Sequence, residues 1–205
     1  MPIFITSLKI DPLNKIIFAS HNKNKAKEIE ALLPTNLSLF TLSDLNYFEE
    51  IEETGKTLPE NALIKARFIN NKFTVFCFAD DSGLEIEALN GDPGVYSARY
   101  AGTEKNDDAN MNKVLELMQH ITNRNARFIT VIALIKDGKE YLFEGEIKGK
   151  ISFEKKGANG FGYDPLFIPD GMDKTFAELS KEEKNAISHR AKAVKKLVAF
   201  LNESN

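Results

Sequence analysis

The stretch Phe73-Thr74-Val75-Phe76-Cys77-Phe78-Ala79-Asp80-Asp81-Ser82-Gly83-Leu84 decides how the chain is read. Phe73 to Phe78 is almost wholly apolar, the pattern of a strand buried on both faces. Two adjacent carboxylates follow at once. Successive strand side chains point to opposite faces, so Asp80 and Asp81 can both reach water only if the strand has ended. Gly83 then allows a sharp turn. Two readings stand. Asp80, Asp81 and Ser82 can be the polar residues of a strand-to-loop turn, bonding nearby amides. Alternatively they form a carboxylate pair at the carboxyl end of a sheet strand, where open α/β sheets place ligands. Such a pair can hold a hard divalent cation and take a proton from water.

Outward from this stretch, strands and helices mix without strict alternation, which gives an α/β chain. Toward the amino terminus, the pattern predicts a helix from Thr57-Leu58-Pro59-Glu60 to Asn70-Asn71. Thr57 caps it, Glu60 completes a capping box, and Ala62, Ala66 and Ile69 form a narrow inner face. Further back, Lys15 to Ala19 reads as a short strand. Ala26, Ile29, Leu32 and Leu33 read as a helix closed by Pro34, and residues 1–14 as an extension.

Toward the carboxyl terminus, Leu84 to Leu89 alternates as a strand, and Asp107-Asp108 opens a helix carrying Met111, Val114, Leu115 and Met118. Arg127 to Ile135 is strand-like. Asp137-Gly138 is a hairpin turn, and the returning strand runs to Ser152 with glycines that suggest bends or bulges. Ser180-x-x-Glu183 caps a last helical region reaching Leu201. The expectation is residues 15–205 as one domain after the extension.

The 205 residues carry 42% hydrophobic and 28% charged side chains with a net charge of −3, an ordinary globular composition with no general affinity for nucleic acid or anionic membrane. No apolar run reaches transmembrane length and Met1 to Lys15 lacks a signal-peptide pattern, so a cytoplasmic location is expected. Cys77, alone, cannot form an intrachain disulfide and reads as a buried, inert thiol. Three histidines make a His-rich zinc site a poor fit, and a catalytic metal would rest on oxygen ligands.

Other pieces each admit two readings. Ser20-His21-Asn22-Lys23-Asn24-Lys25 joins a strand to a helix amino terminus, either a solvated turn or an anion cradle; it lacks the glycines of a Walker A loop. Glu52-Glu53 is a solvated acidic stretch or a second source of carboxylate ligands. Gly160-Phe161-Gly162-Tyr163-Asp164-Pro165 is a packed aromatic corner or a stacking platform for a planar base. Lys184, Ser188, His189 and Arg190 lie at the start of a helix and singly read as surface residues.

Six strings occur in order: Ser20-x-Asn22-x-x-Lys25; Glu53-Thr54-Gly55-x-Thr57-x-x-Glu60-Asn61-Ala62-x-x-Lys65-Ala66; Ala79 to Leu84; Pro93 to Tyr100; Gly160 to Pro165; and Ser188-His189-Arg190. Together they resemble the inosine triphosphate pyrophosphatase family over nearly the whole chain. Leu58 stands where that family usually has Phe, and His21 where a Gly is common, a change that can stiffen the phosphate loop. The resemblance implies two lobes about a long mixed central sheet with flanking helices, a substrate cleft between the lobes, and a homodimer.

It further implies hydrolysis of a non-canonical purine nucleoside triphosphate to the monophosphate and pyrophosphate, with Mg2+. On that pattern Ser20, His21, Asn22, Lys23, Asn24 and Lys25 cradle the triphosphate, Lys25 and Lys65 offset its charge, and Ser82 is a further substrate contact. Glu53 and Asp81 hold the metal. Asp81 accepts the proton of water, supported by Asp80. Phe161, flanked by Gly162 and Tyr163, stacks on the purine, and Asp164, Lys184, His189 and Arg190 read its edge. A Maf-like pyrophosphatase and a non-catalytic nucleotide-binding protein are the alternatives.

Overall fold

The computed structural model describes residues 15–203; the predicted extension at residues 1–14 lies outside the described residues. A six-stranded mixed sheet has the order β2-β1-β3-β4-β5-β6. β1 (Lys15–Phe18) runs parallel to β2 (Ser38–Thr41) and to β3 (Cys77–Ile86), and the remaining neighbours are antiparallel. β4 (Asn125–Lys136) and β5 (Lys139–Ile151) form the long hairpin predicted at Asp137-Gly138, both residues at positive φ. β6 (Phe167–Pro169) closes the far edge.

β3 corrects the reading of the deciding stretch. Phe73 is the last residue of α2 (Leu58–Phe73), Thr74 turns the chain in the left-handed region, and the strand starts only at Cys77. It then continues unbroken through Asp80, Asp81, Ser82 and Gly83, each paired across to β4 (Asp80 opposite Ile132, Asp81 opposite Val131). No turn follows the carboxylates. Partner strand pairing overrides the weak strand preference of Asp and Gly. Gly83 serves close approach: a Cβ there would sit 2.5 Å from the Gly94 carbonyl oxygen. The β5 glycines likewise mark no bulge, since the β4–β5 register is continuous. Gly145 instead leaves room for the backbone of His189 to cross the sheet.

Two helices cover opposite faces of the sheet. α2 keeps the predicted capping box at Thr57 and Glu60, and its Ala62, Ala66 and Ile69 pack on Cys77, Ala79, Ala133 and Ile135. Burial pushes the Cys77 thiol up to about 12, as an inert core residue requires. On the other face α5 (His189–Glu203) packs Ala193, Val194, Leu197 and Leu201 on Phe18, Phe78, Ile132 and Leu134. A third core builds the second lobe: Leu84 and Ile86 from the end of β3, Met111 and Val114 from α3 (Asp107–Leu117), and Phe128, Tyr163, Phe167 and Phe176. The last helical region is two helices, not one. α4 (Lys181–Ile187) ends at Ser188, whose extended backbone starts α5 afresh at His189. α1 (Lys23–Glu30) stops short of Pro34. No described helix is long and apolar enough to cross a membrane.

Candidate active site

Strand alternation sends Asp80 and Asp81 to opposite faces of the sheet, and the two sites they enter differ. Asp80 shares its face with Ser82 and α5. Its Oδ1 accepts from Lys25 Nζ at 3.0 Å and its Oδ2 from Ser82 Oγ at 3.0 Å, with Arg190 Nε 3.5 Å from Oδ2. Burial works against that carboxylate, but Lys25 and Arg190 outweigh it and hold Asp80 well below the usual carboxylate range.

The network extends further. Arg190, 2% exposed, donates from Nη1 to Glu28 and from Nη2 to Ser82 Oγ at 3.1 Å. Glu28 also accepts from Lys184 at 2.7 Å, and Lys184 donates to Asp164 at 2.5 Å. Ser82 Oγ meets Thr130 Oγ1 at 2.7 Å. Asp164, Lys184, Glu28, Arg190, Asp80 and Lys25 thus form one chain of alternating charge, from the aromatic loop to α1. Burial raises the Asp164 carboxyl despite Lys184 beside it.

Asp81 faces α2. Lys65 Nζ lies 3.4 Å from its Oδ1 and also donates to Glu53, while Oδ2 is buried with no partner. Burial pushes Asp81 up, against the pull of Lys65 and Lys25. Burial also opposes the Lys65 ammonium, yet Asp81 and Glu53 prevail and raise it. Glu53 is held down by Lys65 against its own burial. Glu53 reaches this place because its loop is tied to the first turn of α2: Gly55 N–H donates to Asn61 Oδ1 at 2.8 Å and Lys56 N–H to Glu60 at 2.7 Å.

An orphaned, buried carboxylate oxygen beside a second carboxylate fits a hard cation with oxygen ligands. Among the described residues no group of three or more His, Cys, Asp or Glu side chains makes a complete cage.

Both regions open on one cleft of about 710 Å³. Of the residues singled out in the sequence, Ser20, His21, Asn22, Lys25, Glu53, Lys65, Asp81, Ser82, Phe161, Gly162, Tyr163, Asp164, Lys184, His189 and Arg190 line it. Lys23 and Asn24 are instead exposed in the first turn of α1, and Asp80 lies beneath the lining. Asn22 caps α1 by accepting from the Asn24 and Lys25 amides, so that cradle has fewer free N–H groups than the loop sequence promises. His21 Nε2 lies 2.9 Å from the Glu49 carbonyl oxygen.

Phe161 lies with Lys184 Nζ 5.1 Å and Arg190 Cζ 5.7 Å from its ring centre. Its amide donates to Asp164 at 2.9 Å, which shapes the loop. Tyr163 donates its hydroxyl to the Ser97 carbonyl at 2.8 Å, fastening the two sides of the second lobe. His189 stacks on Phe128 with ring centres 4.7 Å apart, and its Nδ1 has no partner. Burial and the neighbouring Arg190 and Lys184 cations push that ring well below the usual histidine range.

Several contributors carried no predicted role. Glu28 joins Lys184 to Arg190, and its spacing of three from Lys25 places both on one helix face, a signal the sequence did offer. Thr130 completes the Ser82 cluster from across the sheet, which only strand register reveals. Asp107, read simply as a helix-dipole charge, accepts from the Gly162 amide at 2.7 Å. Arg99, inside one of the recognised strings, faces Glu53 at 3.6 Å.

A family model described as the Ham1 family matches residues 16–200. The chain is 54% identical to a dITP/XTP pyrophosphatase of Flavobacterium johnsoniae, over 91% of this chain and 97% of that one. It is 47% identical to a dITP/XTP pyrophosphatase of Bacillus licheniformis, over 94% of this chain and all of that one. Among solved structures, the Staphylococcus aureus Ham1 protein superposes with a TM-score of 0.85 at 42% identity, covering 94% of this chain and 100% of that chain.

Proposed function

The chain belongs to the Ham1 family, and from that premise we propose that it is a hydrolase of non-canonical purine nucleoside triphosphates, releasing the monophosphate and pyrophosphate. The curated relatives act, by name, on dITP and XTP. The observation that carries the reading is the unpartnered Oδ2 of Asp81 in a cleft that also holds Phe161 and the cations Lys25 and Lys65.

In the proposed reaction the oxygen of water forms a bond to the α-phosphorus. The bond from that phosphorus to the bridging oxygen breaks, and its electron pair leaves with pyrophosphate. The water's proton passes to Asp81, the proton acceptor. Glu53 and Asp81 would hold a divalent cation, magnesium in this reading, which when bound neutralises phosphoryl charge and keeps Asp81 ionised. Lys25 and Lys65 stabilise negative charge growing on the phosphoryl oxygens. Asp80, saturated by its own partners, fixes Lys25 at the cleft.

Phe161 stacks on the purine, and Lys184 and Arg190 stand against its edge. Any N–H of theirs not taken by Glu28, Asp164, Asp80 and Ser82 can only donate, so it can meet a 6-keto group where it cannot meet the 6-amino group of adenine. A site built this way rejects the analogue by as much as roughly 10⁴–10⁵ in kcat/KM. Membership of the family supports a cytoplasmic enzyme, and the resemblance described above supports a homodimer, which sedimentation tests.

Products measured across a panel of nucleoside triphosphates with magnesium test the whole reading. Inosine, deoxyinosine and xanthosine triphosphates should yield pyrophosphate, and adenosine and pyrimidine triphosphates should react slowest. Orthophosphate as first product, leaving a nucleoside diphosphate, contradicts it.

A further inference from the structure

The cations of the cleft differ in what already holds them. Lys25 is bound to Asp80, and Lys65 lies between Glu53 and Asp81. Arg190 has each of its guanidinium nitrogens directed to Asp80, Glu28 or Ser82. Arg99 is held more loosely, by one long ion pair to Glu53 and by no side-chain hydrogen bond among the described residues. It ends the 3₁₀ segment Gly94–Arg99 and lines the cleft with its side chain 31% exposed. Its Nη1 stands 3.6 Å from Glu53 Oε2, beyond hydrogen-bonding distance, and its only other partner among the described residues is the Tyr96 ring at 5.6 Å. Apart from the Nη1 edge that faces Glu53, the fixed fork of N–H donors is available to a solute.

Its position gives that fork a task. Glu53 has Lys65 on one oxygen and Arg99 facing the other, and Lys65 lies against Asp81. Arg99 is thus one carboxylate away from the residues that surround the reacting phosphorus. Cleavage leaves an extra negative charge on pyrophosphate, while Lys25 and Lys65 are already matched by carboxylates. A planar guanidinium meets two phosphoryl oxygens at once, a geometry that a lysine lacks.

Resting on the pyrophosphatase reading above, we propose that Arg99 holds the departing pyrophosphate, donating from its guanidinium to oxygens of the β- and γ-phosphoryl groups. Those hydrogen bonds strengthen as the bridging oxygen takes the electron pair, so Arg99 serves the leaving group and not the base.

The test is calorimetric titration of inorganic pyrophosphate with magnesium, and separately of inosine monophosphate, into wild type, Arg99→Ala, Arg99→Lys and Arg67→Ala. Arg67 is a charge control, since it pairs with Glu140 away from the cleft. Arg99→Ala should weaken pyrophosphate binding about ten- to a hundredfold, the range for hydrogen bonds to a charged group. Arg99→Lys should recover part of the loss, and Arg67→Ala should match wild type. Inosine monophosphate binding should be unchanged in all four proteins, which also shows that the variants fold. Pyrophosphate affinity in Arg99→Ala equal to wild type, or an equal loss for the monophosphate, overturns the assignment while leaving the pyrophosphatase reading in place. A wild type that turns over no triphosphate and binds neither product overturns both.

Discussion

Asp80 and Asp81 are neighbours on one strand, yet they end in opposite conditions. Asp80 has a partner on each oxygen and belongs to a closed run of alternating charges reaching from Lys25 to Asp164. Asp81 is nearly as buried but keeps one oxygen without a partner. The difference separates holding from reacting. A saturated buried network fixes side chains in place, because taking out one member leaves its partners charged and dry. An unsaturated carboxylate in the same strand retains the capacity to bind a cation or take a proton.

Asp80→Asn should have the largest effect. It leaves Lys25 and Arg190 facing a neutral amide in a buried site, so the expected loss of stability is about 3–5 kcal/mol. That lowers Tm by roughly 10 °C for a chain of this size. Thermal unfolding of the purified variant measures it. Asp81→Asn should behave in the opposite sense. Stability should hold or rise, because the substitution relieves crowding with Asp80 and Glu53 while Lys65 keeps Glu53. The kcat should fall at least about a hundredfold, the low end for a general base. Equal losses of Tm in the two variants would break the distinction.

His189 sharpens it through pH. Burial and the adjacent Arg190 and Lys184 lower its pKa in the folded state. Below about pH 6.5 the unfolded chain takes up a proton that the folded ring refuses, so stability falls on acidification. His189→Gln removes that dependence, while carboxylates such as Asp80 titrate alike in both proteins. Between about pH 7 and about pH 5, wild type should lose more than the variant in urea unfolding, by up to about 2 kcal/mol. Identical losses would mean that the folded ring takes up its proton as readily as the unfolded chain does. His21→Gly should do least. It removes an exposed contact to the Glu49 carbonyl, outside both networks, and should raise KM less than about fivefold with kcat unchanged.

Much of this was legible in the chain. Capping boxes at Thr57 and Ser180, the inner face of α2 and the Asp137-Gly138 hairpin depend on local chemistry that neighbouring residues display. The full length of β3 is hidden in the sequence because Asp, Ser and Gly are poor strand residues locally, whereas its continuity comes from pairing with a strand some fifty positions away in the chain. The short edge strand β2 gave no periodic signal over its four residues. The break at Ser188 is hidden by apolar spacing that persists across it, although it is what puts His189 and Arg190 in the first turn of α5. Individual site residues were visible as charged or aromatic pieces; their division into a saturated and an unsaturated set was not, because that depends on which face of β3 each one meets.

In the proposed reaction, water on the Asp81 side of the strand attacks the α-phosphorus. Hydrolysis of deoxyinosine triphosphate in heavy-oxygen water, with mass spectrometry of both products, tests it most directly. One heavy oxygen is expected in the monophosphate and none in pyrophosphate. Label in the pyrophosphate, with the monophosphate unlabelled, would place the attack on the β-phosphorus and contradict it.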